Sequence, residues 1–191
     1  MNKKIIYSLV GLALVFFITS LFIFIKSNST GNKKKIIKKQ MAALQDSQGP
    51  ETMTVKAFFF VESSRLMQPV PHELTLSGVK EESYLTFIQL LIKGQKNYIT
   101  PVPDGVALRS LFLVENQNML IIDFNEELVH NFPAGTSAEL EFIYFFVNNI
   151  CFNFKEIKKV KFLISGNEYR TISGHIDIEN PFYPDYRYLK N

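Results

Sequence analysis

Residues 5–25 read Ile-Ile-Tyr-Ser-Leu-Val-Gly-Leu-Ala-Leu-Val-Phe-Phe-Ile-Thr-Ser-Leu-Phe-Ile-Phe-Ile, with no charge anywhere. As a helix this stretch rises about 30 Å, the thickness of a hydrocarbon core, and a helix satisfies its own backbone in lipid. A cleaved signal peptide has a shorter apolar region, about 7–15 residues, and ends at a small-x-small site. This run is longer and ends in Phe24-Ile25. The sequence therefore predicts one membrane-spanning helix over 5–25, with 1–4 as a short tail before it. A lipidated cysteine would follow the apolar run directly, whereas the single cysteine is Cys151.

The same boundary divides the charge. Residues 1–45 carry eight lysines and no acid, whereas the rest of the chain carries 13 basic and 18 acidic residues, a net of −5. A nucleic-acid-binding protein places its basic footprint on the folded domain, so nucleic acid is not an expected partner and the lysines belong with the membrane surface. Counting lysines within about 15–20 residues of the span favours a cytoplasmic C-terminus. A domain of this size behind an N-terminal anchor is, by contrast, usually translocated. We read the chain as a single-pass protein of the cytoplasmic (inner) membrane with its C-terminal domain extracytoplasmic. One cysteine precludes an internal disulfide.

Residues 26–53 form a basic linker, from Lys26-Ser-Asn-Ser-Thr-Gly through Lys33-Lys34-Lys35 and Lys38-Lys39 to Gly49-Pro50. As a flexible chain it would hold its ends roughly 30 Å apart. Ile37, Met41 and Leu44 fall at helical spacing, so a short helix lying on anionic headgroups is the other reading.

Residues 54–182 suffice for one core and not for two. Val55–Val61 is β-branched and aromatic and predicts a strand. Leu66–Leu76 looks extended, but Pro69 and Pro71 cannot donate to a ladder, which puts it on an edge. Glu82–Lys93 predicts a helix with Leu85, Ile88, Leu91 and Ile92 inward and Gly94 as its stop. Ala107–Val114 and Met119–Phe124 predict a hairpin. A second helix opens at Thr136-Ser-Ala-Glu139, which reads as a capping box in which the Thr136 hydroxyl and the Glu139 carboxylate satisfy each other's amides. Leu140, Ile143, Tyr144, Val147, Ile150 and Cys151 form its apolar stripe. Phe142, Phe145, Phe146 and Phe152 make the remaining sides apolar, so the helix is either deeply buried or has a second partner. Lys159–Ser165 and Glu168–Ile172, joined at Gly166-Asn167, predict a closing hairpin. The fold class is α+β, a mixed or antiparallel sheet with two main helices on one face.

The sequence offers little chemistry. His175 and Asp177 would share a face of a strand, but two ligands without a third make a weak metal site. The reading for His175 is structural, its ring bonded to backbone near the C-terminal turn. Asp123, at the end of a strand, reads as a local cap. A hydrolase would need Asp123, Glu126 and His175 gathered in one cleft. There is no phosphate loop, nucleophile elbow or paired-cysteine motif. No catalytic residue, metal site or cofactor is expected. Cys151 on the helix stripe reads as a small core residue. Asn148 in the second helix needs a partner if buried. The tail at 183–191 follows Pro181-Phe182, and Phe182, Tyr183, Tyr186 and Tyr188 either fold back on the domain or form an arm toward a protein or the wall.

Taken in order, several pieces resemble the GerMN domain of bacterial envelope, sporulation and germination proteins. These are Leu90-Leu91-Ile92-Lys93-Gly94, Gly105-Val106-Ala107-Leu108, Ile122-Asp123-Phe124-Asn125, Gly135-Thr136-Ser137 and Val147-Asn148-Asn149-Ile150. Phe154 and Ile157, Val160-Lys161-Phe162 with Gly166, and Gly174-His175-Ile176-Asp177 with Pro181 complete the series. Gln95 stands where the pattern has proline, Asn149 where it has threonine, and Lys155-Glu156 where it has a Pro-Gly turn. The resemblance spans about residues 55–182 in a single copy. It implies a fold like the ring-building (βαββα-like) modules and a non-catalytic role in assembly of envelope proteins, with self-association included. Binding of cell-wall glycan or another envelope polymer is the alternative. Phe142, Phe146, Phe152, Phe182, Tyr183, Tyr186 and Tyr188 are the interface candidates.

Overall fold

The computed structural model describes residues 51–62, 64–76 and 80–190. The predicted span at 5–25 and all but the last residues of the linker lie outside them. Among the described residues no helix is long and apolar enough to cross a membrane.

Strand β1 (Glu51–Val61) pairs antiparallel with β2 (Ser64–Leu76) in a two-stranded sheet. β1 begins within the stretch read as linker, because pairing with β2 continues to Glu51↔Leu76. Its last residues are buried on both faces: Val55, Ala57 and Phe59 are fully inaccessible on one, and Phe58 and Phe60 nearly so on the other, whereas Thr54 and Lys56 are exposed. Pro69 and Pro71 lie opposite Phe58 and Lys56. The amides of Phe58 and Lys56 point away from β2, so both prolines occupy non-hydrogen-bonded pairs where no N–H is needed.

Helix α1 (Lys80–Lys93) follows. Its buried positions are Ser83, Tyr84, Phe87, Ile88 and Leu91, whereas Leu85, expected inward, is 40% exposed. The rings of Tyr84 and Phe87, one turn apart on the inner face, both meet Phe154 edge-on. Gly94 ends the helix with φ +72°, and its amide reaches the Leu90 and Leu91 carbonyls. A side chain there would be strained, and its Cβ would come within 3.1 Å of Thr100.

A second sheet has the order β3-β4-β5, formed by β3 (Leu108–Val114), β4 (Met119–Phe124) and β5 (Lys159–Ile164). β3 and β4 are joined by a 3₁₀ turn, Glu115–Gln117, with Asn118 left-handed. β4 and β5 run parallel, which requires a long crossover. The crossover contains the short helix α2 (Glu127–His130) and the long helix α3 (Thr136–Asn153). The 3₁₀ turn Tyr186–Tyr188 lies near the C-terminus.

The expected single sheet is thus two small ones, and α3 packs against strands of both. Its Phe145 meets Phe59 and Phe60 of β1, with ring centroids 5.7 and 6.4 Å apart. Phe142 and Phe146 meet Phe124 of β4 at 5.5 and 5.1 Å. This explains a helix apolar on nearly every side. Each fully buried phenylalanine contributes about 1.5–3 kcal/mol relative to an exposed one.

The closing hairpin does not form. After β5 the chain turns at Ser165-Gly166 and makes one bridge, Ile164↔Asn167. Residues 168–172 leave the sheet. The outer edge of β5 is instead met by Phe182, whose amide and carbonyl bond Val160 at 2.8 and 2.9 Å. The tail is integral to the fold in the same way: Lys190 N donates to the Met67 carbonyl at 2.8 Å, and Leu189 is buried.

Candidate functional site

Glu139 occupies the first turn of α3 and is completely inaccessible. It is not half of a capping box. Gly135 is the N-cap, with no side-chain cap bond, and the Glu139 amide bonds the Gly135 carbonyl. The carboxylate points instead to a loop more than thirty residues away. Its Oε1 accepts from Ser173 N at 2.8 Å, Ser173 Oγ at 2.6 Å and His175 N at 3.1 Å. Oε2 accepts from Ile176 N at 2.7 Å. His175 Nδ1 lies 3.3 Å from Oε1. Burial alone would raise the carboxyl group's pKa. The Ser173 hydroxyl and the three backbone donors outweigh it and hold the group below its usual range. Gly174 sits in this loop with φ +100°, and its amide donates to Thr171 Oγ1.

His175 therefore stands beside a buried carboxylate, while Asp177 is turned to its own backbone and accepts from Glu179 N at 2.9 Å. No group of three or more metal-binding side chains occurs among the described residues. Pro181, half-buried, leads into the Phe182–Val160 bridge.

Asp123 has different partners. Its Oδ1 accepts from Gly166 N at 2.8 Å, and Oδ2 lies 3.2 Å from Arg109 Nη1. It fixes the turn after β5, and its hydrogen-bond partners are Gly166 and Arg109, not His175.

Three asparagines of α3 hold backbone. Asn148 accepts from Asp185 N and donates to Asp185 O, both at 2.8 Å, and so clamps the tail. Asn149 does the same to Phe58, at 2.7 and 2.9 Å, and Asn153 to Lys56, at 2.8 and 2.9 Å. Cys151 is buried, and burial pushes its thiol up to about 12.

Of the aromatic interface candidates, Phe142 and Phe146 are core. Both are fully inaccessible and pack on each other at 5.1 Å and on Phe124, so a partner cannot reach them in this fold. Phe152, Phe182 and Tyr188 are half-buried, with Tyr188 stacked on Tyr144 at 4.8 Å. Tyr183 and Tyr186 are 64% and 44% exposed. Phe112 of β3, at 52%, is an exposed aromatic that sequence reasoning did not single out. An open groove of about 640 Å³ lies between the Thr100–Asp104 loop and Asn131–Pro133, with Glu141 of α3 on its wall.

The Germane family, described as sporulation and spore germination, matches residues 28–170. The chain belongs to this family. It is a family of sporulation and germination domains rather than an enzyme family. The fold agrees with two solved structures. One is of a Clostridium perfringens protein provisionally termed a lipoprotein, at 20% identity and TM-score 0.50, covering 75% of this chain and 94% of that one. The other is of the tandem GerMN domains of the sporulation protein GerM from Bacillus subtilis, at 14% identity and TM-score 0.52. That match covers 70% of this chain and 46% of GerM's tandem pair. At these identities the likeness speaks for the α+β fold alone. No curated protein sequence matches the chain.

Proposed function

We propose that this Germane-family chain is a non-catalytic, membrane-anchored envelope protein whose folded domain assembles with other proteins, copies of itself included. The carrying observation is where the side-chain chemistry goes. Among the described residues, four of the five buried polar ones, Glu139, Asn148, Asn149 and Asp123, hold backbone, while Phe112, Tyr183 and Tyr186 present apolar surface to solvent. Aromatic side chains are enriched at protein interfaces. An uncleaved anchor at 5–25 would raise the local concentration of the domain, so weak lateral contacts, as in ring-building modules, would suffice.

A second reading is a module for cell-wall glycan. Tyr183 and Tyr186 are both exposed and lie three positions apart in the tail sequence, and exposed aromatic rings can stack on sugars. Photo-cross-linking from position 183 in intact cells separates the two. A protein adduct supports assembly; label retained on purified wall and released by glycan digestion supports the second reading; neither product removes both. Placement is tested by Asp46→Cys with a membrane-impermeant thiol reagent. Labelling of intact cells is expected for an extracytoplasmic domain, and labelling only after lysis would refute it. Cys151, buried with its thiol pushed up to about 12, contributes little background.

A further inference from the structure

At the C-terminal end of α3, three lysines from distant parts of the chain converge. A pocket of about 420 Å³ opens where β1 supplies Lys56 and Phe58, the end of α3 and the turn after it supply Phe152 and Lys155, and the C-terminal segment supplies Tyr186 and Lys190. Its walls are aromatic. Phe152 stands edge-on to Phe58 with centroids 4.7 Å apart, and Tyr186 edge-on to Phe152 at 6.2 Å. Lys155 Nζ lies 4.5 Å from the centre of the Phe152 ring.

Among the described residues the lysines have no acidic partner. The ion pairs among the described residues engage Arg109, Lys161, His175 and Arg187, and none engages Lys56, Lys155 or Lys190. Like charges brought together repel, and the domain's net charge is negative, so the cluster does not follow from composition. The fold does not need them either: the backbone at Lys56 is held by Asn153, not by the lysine side chain. A helix C-terminus favours a nearby cation, which accounts for Lys155 and leaves the other two.

The volume falls in the range of small-ligand sites, which combine mostly apolar walls with a few convergent polar groups. We propose that this pocket binds a phosphate group carried on a ring or compact apolar body. Three ammonium groups exceed what a single carboxylate would balance. A phosphate monoester carries close to two charges and three acceptor oxygens, and the rings of Phe152 and Tyr186 receive the body attached to it. The site shares Tyr186 with the exposed aromatics named above but does not depend on the assembly role.

The test is titration calorimetry on the full-length chain in neutral detergent, with phenyl phosphate as probe. Saturable binding is expected, at least about tenfold tighter than inorganic phosphate and weaker at higher salt. The double variant Lys155→Ala, Lys190→Ala should bind about tenfold less tightly, and Tyr183→Ala should bind as the wild type does. Competition by glycerol 3-phosphate would identify a soluble or polymeric phosphate as the source. Competition only by phosphatidic acid, a lipid phosphate monoester carried in the same detergent micelles, would identify a lipid headgroup. Absence of saturable binding, undiminished binding by the lysine variant, or phenol binding as tightly as phenyl phosphate would each overturn the proposal.

Discussion

Strands β1 and β3 both lack a neighbouring strand on one side, and the chain treats the two edges in opposite ways. On β1 the outward groups of Lys56, Phe58 and Phe60 are all taken, by the Asn153 side chain, the Asn149 side chain and the Ile99 backbone. On β3 no further backbone partner occurs among the described residues, and Phe112 stands half in solvent. The difference lies in what covers each edge. The β1 edge faces the core, where an unpaired amide or carbonyl costs about 1–3 kcal/mol. Water can serve the β3 edge. The side-chain solution works because of spacing. Four helical residues rise about 6 Å, and two strand residues rise about 6.7 Å. Asn149 and Asn153 are therefore in step with Phe58 and Lys56, and each amide stands in for one peptide of a missing strand. The next position in that series is Phe145, and there the backbone of Ile99 takes over.

The largest effect should come from Asn149→Leu. It removes both partners of the buried Phe58 peptide and should lower unfolding free energy by about 3–5 kcal/mol in a urea titration. A loss below about 1 kcal/mol would mean that water reaches this edge after all. Glu139→Gln extends the comparison to a charged group that holds backbone, and should cost about 2–3 kcal/mol near neutral pH. Its sign with pH is fixed. Glu139 is held below the ordinary glutamate value of 4.5, so its contribution is complete above that value and is lost as pH falls through the lower folded one. The variant's stability should therefore flatten in that acid window, and a wild-type slope retained there would assign the titration to another group. Asn153→Ala, at the more exposed end of the β1 edge, should cost only about 1 kcal/mol by the same urea titration. Smallest is Phe112→Glu on β3, within about 0.5 kcal/mol of wild type. Its readout is association: if the open edge drives self-assembly, sedimentation should show the variant monomeric at concentrations where wild type is not.

The elements legible in the sequence were those whose signals are local. Met119–Phe124 was placed to the residue, and Thr136 as the first residue of α3. The two prolines of β2 were read as edge residues and occupy pairs that need no donor. What stayed hidden depends on distant partners. Thr-Ser-Ala-Glu has the spacing of a capping box, and nothing nearby says that Glu139 will serve the loop at 173–176. The predicted strand at 168–172 failed for the same reason, since those residues lead away from the sheet toward that loop. Phe142 and Phe146 were indistinguishable from interface residues until the second sheet was known to flank α3. Asn149 and Asn153 show helical spacing but not the strand that spacing matches. The lysine pocket left no signal, because Lys56, Lys155 and Lys190 come together only in the fold.

The asparagine clips also set a timetable. They join residues 91 and 97 positions apart, so β1 and β2 leave the ribosome long before α3 exists. At about 5–20 residues per second the wait is on the order of 5–20 s. Through that interval Phe58-Phe59-Phe60 lies on a strand whose edge is open to any other extended chain. A nascent chain stalled between Val61 and Asn149 should therefore be the most aggregation-prone form of this protein, and slower synthesis of the intervening segment should lower the yield of folded product.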